Sequence, residues 1–316
     1  MQLLQKKNKG RMSMQLSINN KTSKGRPSYN KKETLWAFLF LSPKIIGLIL
    51  FTLGPVIASF LLSFTNWDLV SKPIWVSFYN YKHLLNDETF IKALTNTLYY
   101  TIISVPLGMT VSLLLAIAMN QKIKGILAFR TAFFIPVISS MVAISLLWRY
   151  IYNSQYGLLN YFLGLIGIPP QNWLGNIKLA MPSLILMSVW KGLGQNMMIW
   201  LAALQGIPEE LYEAARIDGA NKGQQFKNIT LPLLSPTTFF MLILGIIGSF
   251  QVFESSYVMT NGGPANATLT IVLYLYSNAF EWLKMGYASA MSYILALIIF
   301  VITLIQFNYQ KKWVHY

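Results

Sequence analysis

Long apolar runs dominate the chain, separated by short polar stretches. A helix needs roughly 20 mostly apolar residues to cross about 30 Å of hydrocarbon, because backbone polar groups find no water there and must pair internally. Six segments meet that length and predict six transmembrane helices: Leu35–Phe64, Leu94–Met119, Thr131–Tyr152, Met181–Leu204, Ser235–Tyr257 and Tyr287–Tyr309. Leu158–Ile168 and Leu269–Phe280 are too short and too interrupted by Gly, Asn and Ser to cross alone, and predict interfacial or re-entrant helices. Trp67, Tyr99, Tyr100, Trp148, Tyr150, Tyr152 and Tyr309 gather at the predicted ends, where amphipathic rings favour the headgroup layer.

Composition agrees with this pattern. Only 11% of the 316 residues are charged and 54% are hydrophobic, which excludes an ordinary water-soluble globule. The net charge of +15 would suggest nucleic acid in a soluble protein, but nine of the 25 cations precede residue 35, so no nucleic-acid partner is expected. Residues 1–34 mix Lys, Asn, Ser and Gly without apolar periodicity and read as a disordered, solvated cytoplasmic tail, with a lipid-binding basic arm as the alternative. The apolar run after it exceeds the roughly 7 to 15 residues of a signal peptide and reads as an uncleaved first span. Cytoplasmic loops retain Lys and Arg. An inside N-terminus puts 17 cations inside, among them Lys122, Lys124, Arg130, Arg216, Lys222, Lys227, Lys311 and Lys312, and six outside, with Lys44 and Lys191 in spans. Both termini are thus predicted to be cytoplasmic, with a membrane domain over 35–310 and a short tail over 311–316.

The loop over residues 205–235, between spans four and five, holds a short bounded helix. Pro208 suits a first helical position, Glu209 and Glu210 complement the positive end of the helix dipole, and Gly219 can turn the chain out of the helix. Leu211, Ala214, Ala215 and Ala220 are small or apolar on a loop that faces water. Such a helix either docks into a partner or lies on the bilayer surface as an amphipathic helix.

Glu213-Ala214-Ala215, Asp218-Gly219-Ala220, Ile229 and Leu231-Pro232 resemble, at the family's spacing, the EAA loop of permease subunits in bacterial ATP-binding-cassette importers. Asn96-Thr97-Leu98, Arg130 with Phe134-Ile135-Pro136, Thr260-Asn261-Gly262-Gly263-Pro264 and Gly286-Tyr287-Ala288 resemble the carbohydrate-uptake branch, the maltose and glycerol-3-phosphate type. The resemblance covers about residues 35 to 310. It implies an all-α, six-span, importer-type permease bundle in the bacterial inner membrane, with Glu209–Ile217 as a cytoplasmic coupling helix seated on a separate ATPase subunit. In that reading the ATPase-coupling residues are Glu213, Ala214, Ala215, Asp218 and Gly219: Glu213 pairs with a basic residue of the ATPase, Gly219 turns the chain and Asp218 helps hold the returning segment. The implied partners are ATPase subunits, a second and non-identical permease, and an extracytoplasmic sugar-binding protein. ATP and Mg would reside on the ATPase subunits, with no cofactor on this chain.

The residues themselves favour transport over catalysis. No G-x-x-x-x-G-K-[ST] loop is present, and there is no cysteine. His83 and His315 both fall outside the predicted spans and far apart, so a His-based catalytic or zinc site in the membrane is not expected. Ionisable and amide groups inside a bilayer are costly and mark functional candidates. Lys191, Gln195 and Asn196 lie in span four, and Gln251 and Glu254 in span five, where a spacing of three predicts a shared helix face. Trp190 and Phe250 add rings of the kind that hold a sugar's apolar face. Trp190, Asn196, Phe250, Gln251 and Glu254 are therefore the substrate-pathway candidates. Pairing between helices or snorkelling to an interface is the competing role for these groups and for Lys44. A polyol or glycerophosphodiester cargo is the alternative within the importer class, and an ion-coupled secondary carrier the alternative outside it.

Overall fold

The computed structural model describes residues 31–121 and 124–314. The expected tail up to residue 30, Lys122 and His315 lie outside the described residues. Residues 31–34, assigned to the tail, instead open the first helix, α1 (Lys31–Leu48). It continues through a π-helical turn, Ile49–Leu53, into α2 (Gly54–Leu62). The turn widens just before Pro55, which has no N–H for the Phe51 carbonyl and whose ring would crowd it; Gly54 N–H reaches back to Ile49 instead. Apolar side chains are exposed all round this helix, Phe40 at 77% and Phe51 at 82%, as in a segment that faces lipid rather than a protein core.

The contacts divide the chain between Ala58 and Ser59. The second unit opens with a two-residue antiparallel hairpin, β1 (Thr65–Asn66) and β2 (Ile74–Trp75), with Thr65 opposite Trp75. These are the only strands among the described residues. After α3 (Tyr79–Leu85) comes α4 (Glu88–Met119), which begins six residues before the expected Leu94 because Asp87 caps it, accepting from Thr89 N–H at 2.9 Å and Phe90 N–H at 3.2 Å.

The third expected span is not one helix. α5 (Ile126–Ile138) and α6 (Met141–Ile151) meet at 102°. Ser139 and Ser140 adopt extended ψ values of 144° and 137°, and Pro136 has already removed one hydrogen bond from the last turn of α5. A short helix, α7 (Leu158–Leu165), occupies the first of the two expected non-spanning stretches. α8 (Ala180–Gln205) is continuous, as expected for span four, and is the most enclosed of the long helices.

The loop after α8 holds α9 (Glu209–Ile217), then α10 (Lys222–Gln225), a π-helical turn over Phe226–Thr230, α11 (Leu231–Leu233) and α12 (Ser235–Phe250). The fifth expected span is broken too: α12 stops at Phe250, and α13 (Glu254–Thr260) starts after three residues. α14 (Ile271–Tyr276) and a π-helical turn, Ser277–Glu281, occupy the second non-spanning stretch, and α15 (Met285–Gln310) closes the fold. By length and apolarity three helices can cross a membrane, Thr34–Leu62, Glu88–Met119 and Met285–Gln310, or up to five if the bent pairs Ile126–Ile138 with Met141–Ile151 and Lys222–Leu233 with Ser235–Phe250, the latter at 61°, each count as one span; α8 is not among them.

α4 and α8 form the centre and run parallel. Tyr100 packs with Met181 and Ile185 near their starts, Ala116 with Leu204 near their ends. α12 lies against α4, and α5 against α8. A Cβ on Gly194 would collide with the Phe133 carbonyl, so α8 and α5 approach backbone to backbone. The start of α4 is buried with α14 and α15 around Phe90, Ile271, Tyr274 and Tyr287.

Candidate translocation pathway and coupling loop

The break after α12 positions the pathway candidates. The helix runs to Phe250, but Gln251 and Val252 donate only three residues back, to Gly248 and Ser249, and Phe253 leaves helical geometry at φ −135°, ψ −63°. The Val252 carbonyl freed by the break accepts from the Thr270 hydroxyl at 2.9 Å. The Ser249 hydroxyl meets Thr101 of α4 at 2.9 Å. The break is therefore satisfied by residues distant in sequence, as backbone at membrane depth requires. It also corrects the expectation that Gln251 and Glu254 share one helix face: they sit on either side of the gap.

Both nevertheless line one cavity of about 400 Å³, together with Gln195 and Asn196 of α8 and Tyr100 and Ser104 of α4. The cavity lies at mid-length of α4 and α8, bordered by Gly108, Val189 and Gly192. One carboxylate, Glu254, and no Lys, Arg or His lines it. Gln195, Gln251 and Glu254 are exposed in this chain, Asn196 half-buried. Exposed amides and a carboxylate at that depth are unsuited to lipid and call for a polar or watery neighbour. Trp190 and Phe250 do not line the cavity. Phe250 is 1% exposed in the core formed with α14 and α15. Trp190 packs edge-on to Trp148 at 5.4 Å beside Tyr152 and Met187. Lys191 also lies off the cavity wall, half-buried. Ser104 escaped the sequence reading, although Thr97, Thr101, Ser104 and Gly108, spaced three or four apart, mark a polar stripe down one face of α4.

At the start of α4 the motifs quoted above meet one another. Asn96 Nδ2 donates to the carbonyls of Asn266 and Leu269 at 2.7 and 2.9 Å, and Thr97 Oγ1 accepts the Ile271 N–H at 3.0 Å. Thr260 and Thr268 share a hydrogen bond of 2.7 Å, and Thr268 Oγ1 donates to the Gly263 carbonyl at 2.7 Å. Asp87 accepts from Tyr274 and Tyr287 hydroxyls at 2.7 and 2.6 Å besides capping α4. Burial opposes its charge, but the bonds from Tyr287, Tyr274, Phe90 and Thr89 outweigh it and hold the carboxyl below its ordinary value. The same contact, after burial, pushes the Tyr274 hydroxyl up to about 12.

At the other end of α8 the loop helix has the expected bounds, Glu209–Ile217. Pro208 takes the N-cap, one position before the expected one. Glu213, Ala214, Asp218 and Gly219 are exposed and Ala215 is half-buried; Ile217 is 87% exposed. Asp218 is the C-cap, its N–H bonded to the Ala214 carbonyl at 3.0 Å, and Gly219 turns the chain at φ +79°, a left-handed value glycine adopts without strain. Ala220 N–H then closes on the Ala215 carbonyl at 2.8 Å. The side-chain tie to the returning segment is Tyr212 to Thr230, 2.9 Å between hydroxyls, which the sequence reading did not single out. Asn221 and Gln224 cap α10 reciprocally. Nearby, Arg130 donates to the Met119 carbonyl at the end of α4 at 2.6 Å. Among the described residues no group of three or more His, Asp or Glu could hold a metal ion.

Residues 85–315 match the family model described as binding-protein-dependent transport system inner membrane component. The chain is 40% identical over 291 residues to the probable ABC transporter permease protein YesP of Bacillus subtilis, covering 90% of this chain and 94% of that one. It is 40% identical over 280 residues to the arabinooligosaccharides transport system permease protein AraP of the same species, covering 88% of each. Identity to the lactose transport system permease protein LacF of Rhizobium radiobacter is 36% over 289 residues, 89% of this chain and 96% of that one. Among solved structures, a bacterial ABC transporter involved in the import of the acidic polysaccharide alginate has a chain that superposes with a TM-score of 0.80 at 26% identity, covering 89% of this chain and 96% of its own. With a bundle of apolar helices around a polar mid-length cavity and an exposed loop helix at one end, this chain belongs to the family of binding-protein-dependent transport system inner membrane components, the permease subunits of ABC importers.

Proposed function

We propose that this chain is one of two permease subunits through which an ATP-driven importer passes a saccharide delivered by an extracytoplasmic binding protein. The observation that carries it is the convergence of Gln195, Asn196, Gln251 and Glu254 on one cavity at mid-length of the bundle, three of them exposed. Carboxamides and a carboxylate suit sugar hydroxyls, and their exposure leaves the pathway's other wall to a second permease. Six spans with both termini cytoplasmic belong to the same proposal: α1–α2, α4, the α5–α6 pair, α8, α12–α13 and α15. The charge distribution supports that orientation. It places the Asp87 end outside and α9 inside, where α9 would seat on an ATPase subunit carrying ATP and Mg. A rigid nine-residue helix tied back by Tyr212 can pass a rigid-body movement to α8 and α12.

Affinity purification of the tagged chain from its native membrane, with mass spectrometry of co-purifying proteins, tests this. Recovery of an ATPase subunit and a second permease, with a binding protein that takes up sugars, is the expected result. Recovery of the chain alone, under conditions that keep other membrane complexes whole, contradicts it.

A further inference from the structure

We propose that Phe253, Tyr257, Tyr276 and Phe280 form an aromatic track that holds successive rings of an uncharged oligosaccharide outside the cavity, with Glu254 at its inner end. The proposal rests on the saccharide reading above and adds a second contact region and a cargo class to it.

The four rings touch in sequence. Phe253 stacks on Tyr257 at 5.4 Å and 17°, both meet Tyr276, at 5.0 and 5.5 Å, and Tyr276 meets Phe280 at 5.3 Å. Two of them are open to the outside, Tyr257 at 38% and Phe280 at 59% exposed, while Tyr276 is half-buried and Phe253 rests partly against the core formed with α14 and α15. The track is continuous with the cavity. Phe253 lies in the break between the cavity residues Gln251 and Glu254, and Tyr257 follows Glu254 by three positions in α13, on the same side of the helix. From there Tyr276 and Phe280 carry the run through the end of α14 and the π-helical turn, a segment flanked by Tyr274 and Tyr287, both bonded to Asp87 at the end facing the binding protein in the proposed orientation.

The occupant follows from chemistry. Aromatic faces carry partial negative charge and attract the C–H face of a sugar ring, while tyrosine hydroxyls donate to or accept from its hydroxyls and a carboxylate accepts from them. A lipid chain fits the rings but not the exposed carboxylate within one helical turn of them. An anionic cargo meets Glu254 with no cation on this chain's wall of the cavity to offset the repulsion. A run of rings longer than one sugar predicts an effect that grows with the number of sugar units.

The test uses the purified complex in nanodiscs with its binding protein, reading ATPase stimulation by α-1,5-arabinan and α-1,4-glucan oligomers from two to five units. In Tyr257→Ala/Tyr276→Ala, stimulation by the tetra- and pentasaccharide of the accepted series should fall about tenfold, the factor for two lost ring contacts, and that by the disaccharide less than about threefold. The Phe/Phe pair should remain within about threefold of the parent. An equal loss at every length, no loss at all, or loss of the second permease from the double alanine complex overturns the track; the last result would make the patch a subunit interface. No stimulation of the parent complex by either neutral series overturns the neutral cargo, and acceptance of galacturonate oligomers instead would leave the saccharide reading standing without it.

Discussion

Asp87 binds three elements with one carboxylate, so its removal is a sharp test of how this end of the bundle, where α4, α14 and α15 meet, is held. In Asp87→Ala the α4 cap is lost, worth about 1 kcal/mol, and the hydroxyls of Tyr274 and Tyr287 lose a charged acceptor, worth about 1.5–3 kcal/mol each where buried. Asp87 is half-buried, so water can replace part of this, and discounting the pair by about half gives a loss of ~2–4 kcal/mol. Asp87→Asn keeps a cap and a neutral acceptor and should lose ~1–2 kcal/mol. The sign of the pH dependence follows from the depressed pKa. The charged form is favoured by folding, so the stabilisation is complete above the ordinary value of 3.8 and lost as pH falls through the lower folded value. Thermal unfolding of the detergent-solubilised complex at pH 7, and between pH 5 and 3, is the assay. The parent should lose stability across the acid window relative to Asp87→Asn, which has no carboxylate to titrate. Equal melting temperatures for the parent and Asp87→Ala at pH 7, or parallel acid profiles for the parent and Asp87→Asn, would refute the argument.

Three further outcomes are expected. Glu213→Lys reverses an exposed charge on α9 and should cut ATP-dependent uptake by about 30-fold or more, the factor for a mispaired interface charge of ~2–5 kcal/mol, while the melting temperature stays put; unchanged uptake would remove Glu213 from the coupling contact. Gln251→Ala, which removes a cavity amide without touching the core, should lower substrate-stimulated ATPase activity by about threefold to tenfold, as one or two lost hydrogen bonds imply, and normal stimulation would put Gln251 off the pathway. Gly194→Ala forces a methyl group into the Phe133 backbone and should cost ~1–3 kcal/mol in a thermal shift, whereas Gly192→Ala, whose nearest neighbour is Asn196 Nδ2 at 3.9 Å, should cost little; equal effects would mean that the α5–α8 approach is not tight.

The bounds of α9 were readable because every device that sets them is local. Acidic residues in its first turn and a glycine just beyond its end act on their own helix, so Glu209–Ile217 stands where the sequence put it. Apolar length likewise marked α8, α15 and the end of α4 to within a few residues, since the cost of unpaired backbone in hydrocarbon depends on the segment alone; the start of α4 was set instead by the Asp87 cap. The breaks were not readable. Apolarity is the same on both sides of Ser139–Ser140 and of Gln251–Phe253, and what makes the second break tolerable is a hydroxyl 18 residues away, Thr270 on the Val252 carbonyl.

The candidate site divides the same way. Polar groups within apolar runs singled out Asn196, Gln251 and Glu254 because a bilayer penalises them wherever the helix turns. That penalty says nothing of direction, which is why Phe250 proved to be core and Trp190 a partner of Trp148. Likewise, Asp87 could be read as a cap from the residues after it, but its bonds to Tyr274 and Tyr287 join positions 187 and 200 residues apart. The sequence by itself determined what the membrane's solvent physics and local helix chemistry can fix: the rough extent of the long unbroken helices α4, α8 and α15, the loop helix, and which residue types are costly at depth. Which side chains share a cavity and where a span breaks were decided only by tertiary structure, because both depend on partners that the chain brings together from afar.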